Sequence, residues 1–154
     1  MSSDSDTKIK RIYSKNIELR RSTRIFSVQM LYSYIMQGMP SNLSFMLHDA
    51  FSNVPDSNPI DQRYAATIMM GATSHMVELE QKIQLYLTED WRFLRLGKVI
   101  QAILLIAAYE IMFTKDLSPS IIINEYLEVA KLLNHEGEVG FINSVLDNIA
   151  KHPS

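Results

Sequence analysis

The sequence predicts an all-α fold. Apolar residues recur every three or four positions along most of the 154-residue chain, no stretch alternates with period two, and the five glycines and five prolines fall mostly between the periodic stretches. The length suits one domain with a core of its own. We expect a mobile basic arm at 1–17 and a single helical domain at 18–151. Its N-terminal half spans about 18–87 and its C-terminal half about 95–151, with a hinge near 88–95.

Residues 1–17 lack sustained apolar periodicity. From Glu18, Ile25, Val28, Tyr32 and Ile35 lie on one helical face, widened by Leu31, while Phe26, Met30 and Tyr34 form a second stripe. A helix this apolar is central in a bundle or covered by a partner. Gly38 and Pro40 end it. Ser41 is placed to cap a short helix through Phe51 with Leu43, Met46 and Leu47 inward, and 52–59 is dense in turn formers. Asp61 opens a helix whose period, from Ala65 through Ile68, Met69, Ala72, Met76, Leu79 and Ile83 to Tyr86, predicts about six unbroken turns.

After the break at Thr88-Glu89-Asp90, Val99, Ala102, Ile103, Ile106, Ala107 and Ile111 form the next face. Ser118-Pro119 reads as a cap followed by proline at the first helical position, where a missing N–H costs nothing. That helix carries Ile122, Tyr126, Val129, Ala130 and Leu133, with Asn134 as a left-handed terminator. The last helix buries Ile142, Val145, Leu146 and Ile149 and stops before Pro153.

Without cysteine there is no disulfide and no thiolate metal site. The polar, acidic start is unlike a secretory signal. The longest apolar run, Ala102 to Tyr109, is well short of the roughly 20 residues a membrane span needs, so a cytoplasmic protein without a membrane partner is expected. Charge is unevenly spread. Seven basic residues against three acidic ones make Met1 to Arg24 +4, which leaves −6 for the rest of a chain whose total is −2. A basic segment on an acidic body is the asymmetry of a chain that meets a polyanion, and equally that of a solvated tail.

No catalytic constellation is visible. His48, His75, His135 and His152 share no metal-ligand spacing, and His75 with Glu78 on one helix face lacks a third ligand. Phosphate-binding, dinucleotide and nucleophile-elbow motifs are absent. The chain is therefore expected to bind rather than to convert, with no cofactor and no metal.

The cluster Arg20-Arg21-Ser22-Thr23-Arg24 stands out. Arg20 and Arg24 lie one turn apart, and like charges so placed at the start of a helix oppose both each other and the dipole. An arriving anion would resolve the conflict, and so would internal carboxylates. Arginine suits RNA, because its planar fork grips phosphate and stacks on bases. Phe141, preceded by Gly140 and one position off the last apolar seam, is the candidate stacking residue, or else a core-edge side chain. On this reading Arg20, Arg21 and Arg24 can be replaced together with little loss of stability.

The run Arg20-Arg21-Ser-Thr-Arg24-Ile-Phe-Ser-Val28-Gln29-Met-Leu31-Tyr32 resembles the opening of the transcription antitermination factor NusB family. Trp91-x-x-x-Arg95-Leu96-Gly97-Lys98-Val99, continuing through Ala102-Ile103-Leu104 to Tyr109-Glu110, is similar to that family's central block. Ile123-Asn124-Glu125 with Glu128, Ala130 and Lys131, and Phe141-Ile142-Asn143-Ser144-Val145-Leu146-Asp147, are similar to its C-terminal blocks. The four blocks are collinear. The resemblance implies two packed three-helix subdomains and a function without catalysis: binding boxA-like single-stranded RNA together with the ribosomal small-subunit protein NusE. That pair would join other Nus factors on RNA polymerase and favour processive transcription of ribosomal RNA operons. Arg20, Arg21 and Arg24 would hold phosphates, Phe141 would stack a base, and Tyr32 and Met36 would meet NusE.

Four positions depart from the family pattern. Ile100 replaces an acidic residue expected in a salt bridge to NusE, Leu105 replaces an arginine, and Gly137 and Gly140 replace an acidic and a basic residue. Altered RNA affinity is expected, with the segment from Lys8 to Lys15 compensating. Two alternatives are a protein-only helical adaptor with structural arginines, and the RNA-binding domain of an RNA cytosine methyltransferase. The second is excluded as a stand-alone enzyme by the lack of a nucleotide-cofactor motif.

Overall fold

A computed structural model describes residues 3–153, with the side chains of residues 3 and 12–15 left aside. Among the described residues the secondary structure is helical, without strands: α1 (Ser3–Met36), α2 (Leu43–Ser52), α3 (Gln62–Ser74), α4 (Met76–Gln84), α5 (Lys98–Phe113), α6 (Pro119–Leu132) and α7 (Val139–Lys151). Single 3-10 turns at Phe93–Arg95 and Glu136–Glu138 complete it. No helix among the described residues is long and apolar enough to cross a membrane.

α5 is the axis of the fold. Every residue from Ile100 to Ala108 is buried, and α1, α3, α4, α6 and α7 all pack on it. The face expected as an amphipathic stripe is thus buried around its whole circumference, as in a helix surrounded on all sides, with Gln101 the polar member of the run and donating to the Leu96 carbonyl at 2.8 Å. The halves on either side of the 88–95 hinge share one apolar core through α5. At the hinge the Gln84 side chain spans the turn, donating to the Trp91 carbonyl and accepting from the Phe93 N–H at 2.8 Å.

Helix ends follow local chemistry. Past α1, Gly38 takes φ +82°, the Met39 N–H donates to the Tyr34 carbonyl and the Gly38 N–H to that of Ile35. This left-handed stop strains most side chains but not glycine. The same pair of bonds ends α6, where Asn134 at φ 66° behaves as its sequence position predicts. Asp61 caps α3 by accepting from the Tyr64 N–H at 3.0 Å, and Pro119 sits at the start of α6. Ser41 does not cap: Asn42 holds the cap position of α2. Ser118 takes the cap position of α6 as expected, but its hydroxyl meets Ser120 instead of a backbone N–H.

Two further expectations are corrected. The six-turn helix from Asp61 is two helices, broken at His75. The apolar period runs through the break because α3 and α4 both face α5, so the pattern carries no sign of the bend. At that corner a Cβ on Gly71 would lie 2.0 Å from the Tyr109 ring, and the His75 ring stacks on Phe113 at 4.3 Å. The second correction concerns the innermost line of α1, which is Thr23, Arg24, Ser27, Val28 and Leu31, with Ile25, Tyr32 and Ile35 only partly buried. Thr23 and Ser27 tolerate burial by donating to the Leu19 and Thr23 carbonyls one turn back. Phe26, from the second stripe, stacks on Phe51 of α2.

The arm, within the described residues, is helical and continuous with α1, and every side chain from Asp4 to Arg11 is exposed. Met1 and Ser2, also assigned to the arm, lie outside the described residues.

Candidate nucleic-acid interface

The arginine cluster sits where α1 crosses α3, α5 and α6, and its three members have three different environments. Arg24 points inward. It is 2% exposed, and its Nε and Nη2 donate to the two oxygens of Glu110 at 2.8 and 3.0 Å. The Tyr64 and Tyr126 hydroxyls donate to the same carboxylate, one to each oxygen. Glu110 thus accepts four hydrogen bonds, close to all its capacity, which is how a buried carboxylate survives loss of water. Burial opposes the charge on Arg24, but the hydrogen bonds and charge of Glu110 outweigh it and raise the guanidinium pKa above its ordinary value. Burial, reinforced by Glu110, raises the pKa of both phenols, so they stay protonated.

Arg21 is forked to Glu125 of α6 at 3.1 Å through both Nε and Nη2, with side-chain exposures of 40% and 17%. The hydrogen bonds to Glu125 raise its pKa, against a smaller opposing effect of burial. Arg20 is different again. Its guanidinium carbon lies over the Tyr64 ring, 3.7 Å from the centroid, no described carboxylate pairs with it, and it borders a cleft of about 150 Å³ with Thr114, Asp116 and Leu117. Stacking occupies the face of the guanidinium and leaves its N–H edge available, the arrangement in which arginine binds phosphate.

Arg24 is accordingly withdrawn as a phosphate contact. It is shielded from solvent and its donors toward Glu110 are spent. Replacing Arg24 would leave the buried Glu110 carboxylate without its cation, so a loss of stability is now expected there, against the sequence-based expectation. Sequence reasoning missed Tyr64, Glu110, Tyr126 and Glu125. One signal was present: Glu110 is a lone carboxylate at the end of the apolar run 102–109, and such a group requires a cation from elsewhere in the fold.

A family model described as the NusB family matches residues 21–151. The chain belongs to the NusB family. The transcription antitermination protein NusB of Treponema pallidum (strain Nichols) is 33% identical over 132 residues, covering 86% of this chain and 92% of that protein. Its counterpart in Nitratidesulfovibrio vulgaris (strain DP4) is 30% identical over 143 residues, covering 90% and 92%. Among solved structures, T. maritima NusB superposes with a TM-score of 0.75 at 27% identity, covering 86% of this chain and 91% of that one. NusB from a complex of antitermination factors NusB and NusE with dsRNA shares the fold at a TM-score of 0.73 and 23% identity, covering 86% and 96%.

The remaining site residues are dispersed across this NusB fold. Phe141, in the first turn of α7, is partly buried and packs against the core. The aromatic ring set against Arg20 is Tyr64, on α3. Tyr32 is half-buried on the core, while Met36, one turn on, is 57% exposed. Two departures from the family pattern, Ile100 and Leu105, are core residues, 5% and 1% exposed. No surface contact, to RNA or to a partner, is available at either position. Gly137 and Gly140 are exposed with open space around them, so the missing side chains there are missing from the surface.

Proposed function

We propose that this protein is an RNA-binding transcription antitermination factor that pairs with NusE on boxA-like single-stranded RNA and so supports processive transcription of ribosomal RNA operons in the cytoplasm. Other Nus factors and RNA polymerase are engaged through that pair. Family membership across 21–151 carries the reading, and a relative of the same fold has been solved with NusE and RNA. Arg20, one residue before the family-matched span, is the principal phosphate ligand, and the half-exposed Arg21 shares its fork between Glu125 and RNA. Phe141 stacks a base with the part of its ring outside the core, and Met36 with the edge of Tyr32 meets NusE.

The deciding experiment is a titration of a short boxA-like RNA, with and without NusE, at several salt concentrations. Binding tightened by NusE is expected, with log K falling as log [salt] rises, and Arg20→Ala should flatten that slope by about 0.7. Phe141→Ala should weaken binding by ~1–3 kcal/mol without changing the slope. A second reading, a helical adaptor that binds only protein, draws on the internal neutralisation of Arg24 and Arg21. It predicts NusE binding with no RNA affinity in either titration.

A further inference from the structure

With Arg24 sealed and Arg21 shared, the cluster at the head of the family-matched fold offers little free positive charge. The free charge lies farther out on the same helix. Lys8, Lys10 and Arg11 are exposed, and none pairs with a described carboxylate, although Asp4 and Asp6 stand four residues before Lys8 and Lys10. Those two acids occupy the first turn of α1, where they complement the helix dipole.

The helix also sets their direction. Lys10 and Arg21 are eleven residues apart, three turns within about 20°, so they lie on one line of α1 some 16 Å from each other. Arg20 stands beside that line on one side and Arg11 on the other, each about 100° around from its neighbour in sequence. The family match begins at Arg21, so the extension is an addition to the matched fold and not part of it.

We propose that this helical extension, through Lys8, Lys10 and Arg11, is a second phosphate-binding stretch that carries a single-stranded RNA outward from Arg20 and Arg21. The inference rests on the RNA-binding reading above and adds to it where most of the backbone contact is made. The extension is helical and continuous with a packed segment, so its cations hold fixed bearings to the cluster at little further ordering cost: Lys10 in line with Arg21, Arg11 about 80° and Lys8 about 140° around from that line, so a strand meeting all three winds about α1. An exposed Ile9, at 63%, marks the competing use of the same helix: docking on a second copy of the chain.

The test compares the full chain with Lys8→Ala/Lys10→Ala/Arg11→Ala in the boxA-like RNA titration. Removing three phosphate ligands from a single-strand interface should flatten the slope of log K against log [salt] by about 2, with the melting temperature unchanged. An unchanged slope in a variant whose parent binds RNA overturns the extension while leaving the RNA-binding reading in place. A parent that binds no RNA, with or without NusE, overturns both. Sedimentation supplies the other contrary result: a parent dimer that becomes a monomer in the variant, at unchanged slope, assigns the extension to self-association.

Discussion

Arg20 and Arg24 are one turn apart on the same helix, carry the same charge, and do opposite work. Arg24 lies where α1 is enclosed by α3, α5 and α6, and it is satisfied by the Glu110 carboxylate, to which two phenols also donate within the core. Arg20 lies at the edge of that enclosure, over the ring of one of those same phenols. Tyr64 therefore joins the two environments: its hydroxyl serves the interior and its ring the surface. The motif divides by depth: Arg24 is sealed in the core, while Arg20 stays partly exposed with no carboxylate partner among the described residues.

The contrast can be broken most sharply from the side of α5. Glu110→Ala leaves Arg24 charged and unpaired in the core and should cost ~3–5 kcal/mol in urea unfolding. A loss below about 1 kcal/mol would mean that Arg24 finds water and that the interior is open to solvent. The same cluster sets the alkaline limit of the fold. Tyr64 and Tyr126 keep their protons in the folded state at a pH where free phenols, with an ordinary value of 10.0, ionise. Stability is therefore full below about pH 10 and falls as pH rises above it, as the unfolded chain releases protons that the folded one retains. Melting curves across that window should show the fall, and Tyr64→Phe should shrink it.

Away from the cluster, Gly71→Ala would drive a methyl group into the Tyr109 ring at the α3–α4 corner, with an expected loss of ~1–3 kcal/mol. Unchanged stability would show that Tyr109 swings aside without cost. The smallest effect belongs to the intermediate arginine. Arg21→Ala removes a pair that is part solvated, and thermal unfolding should register no more than ~1 kcal/mol.

Most of the fold was legible because most of it is locally determined. Gly38, Asn134, Asp61 and Pro119 each do at a helix end what their backbone chemistry favours, and the apolar period located α3 to α7. The break at His75 was hidden because a bend that keeps both helices on α5 preserves the period. The helical course of the extension was hidden for the opposite reason, since an exposed helix need show no apolar face. At the site, the arginines were visible as a local conflict of like charges, but the resolution of that conflict was not. Glu110 is 86 positions from Arg24 and Glu125 is 104 from Arg21, and only folding brings them together. The lone carboxylate in the apolar α5 run was the one sign that a cation would be drawn inside.

The division between the arginines is tested most directly by equilibrium unfolding of Arg24→Ala and Arg20→Ala side by side. The first strands Glu110 and should lose ~3–5 kcal/mol, whereas the second removes a surface stack and should lose at most ~1 kcal/mol. Equal losses, or a greater one for Arg20→Ala, would contradict that division.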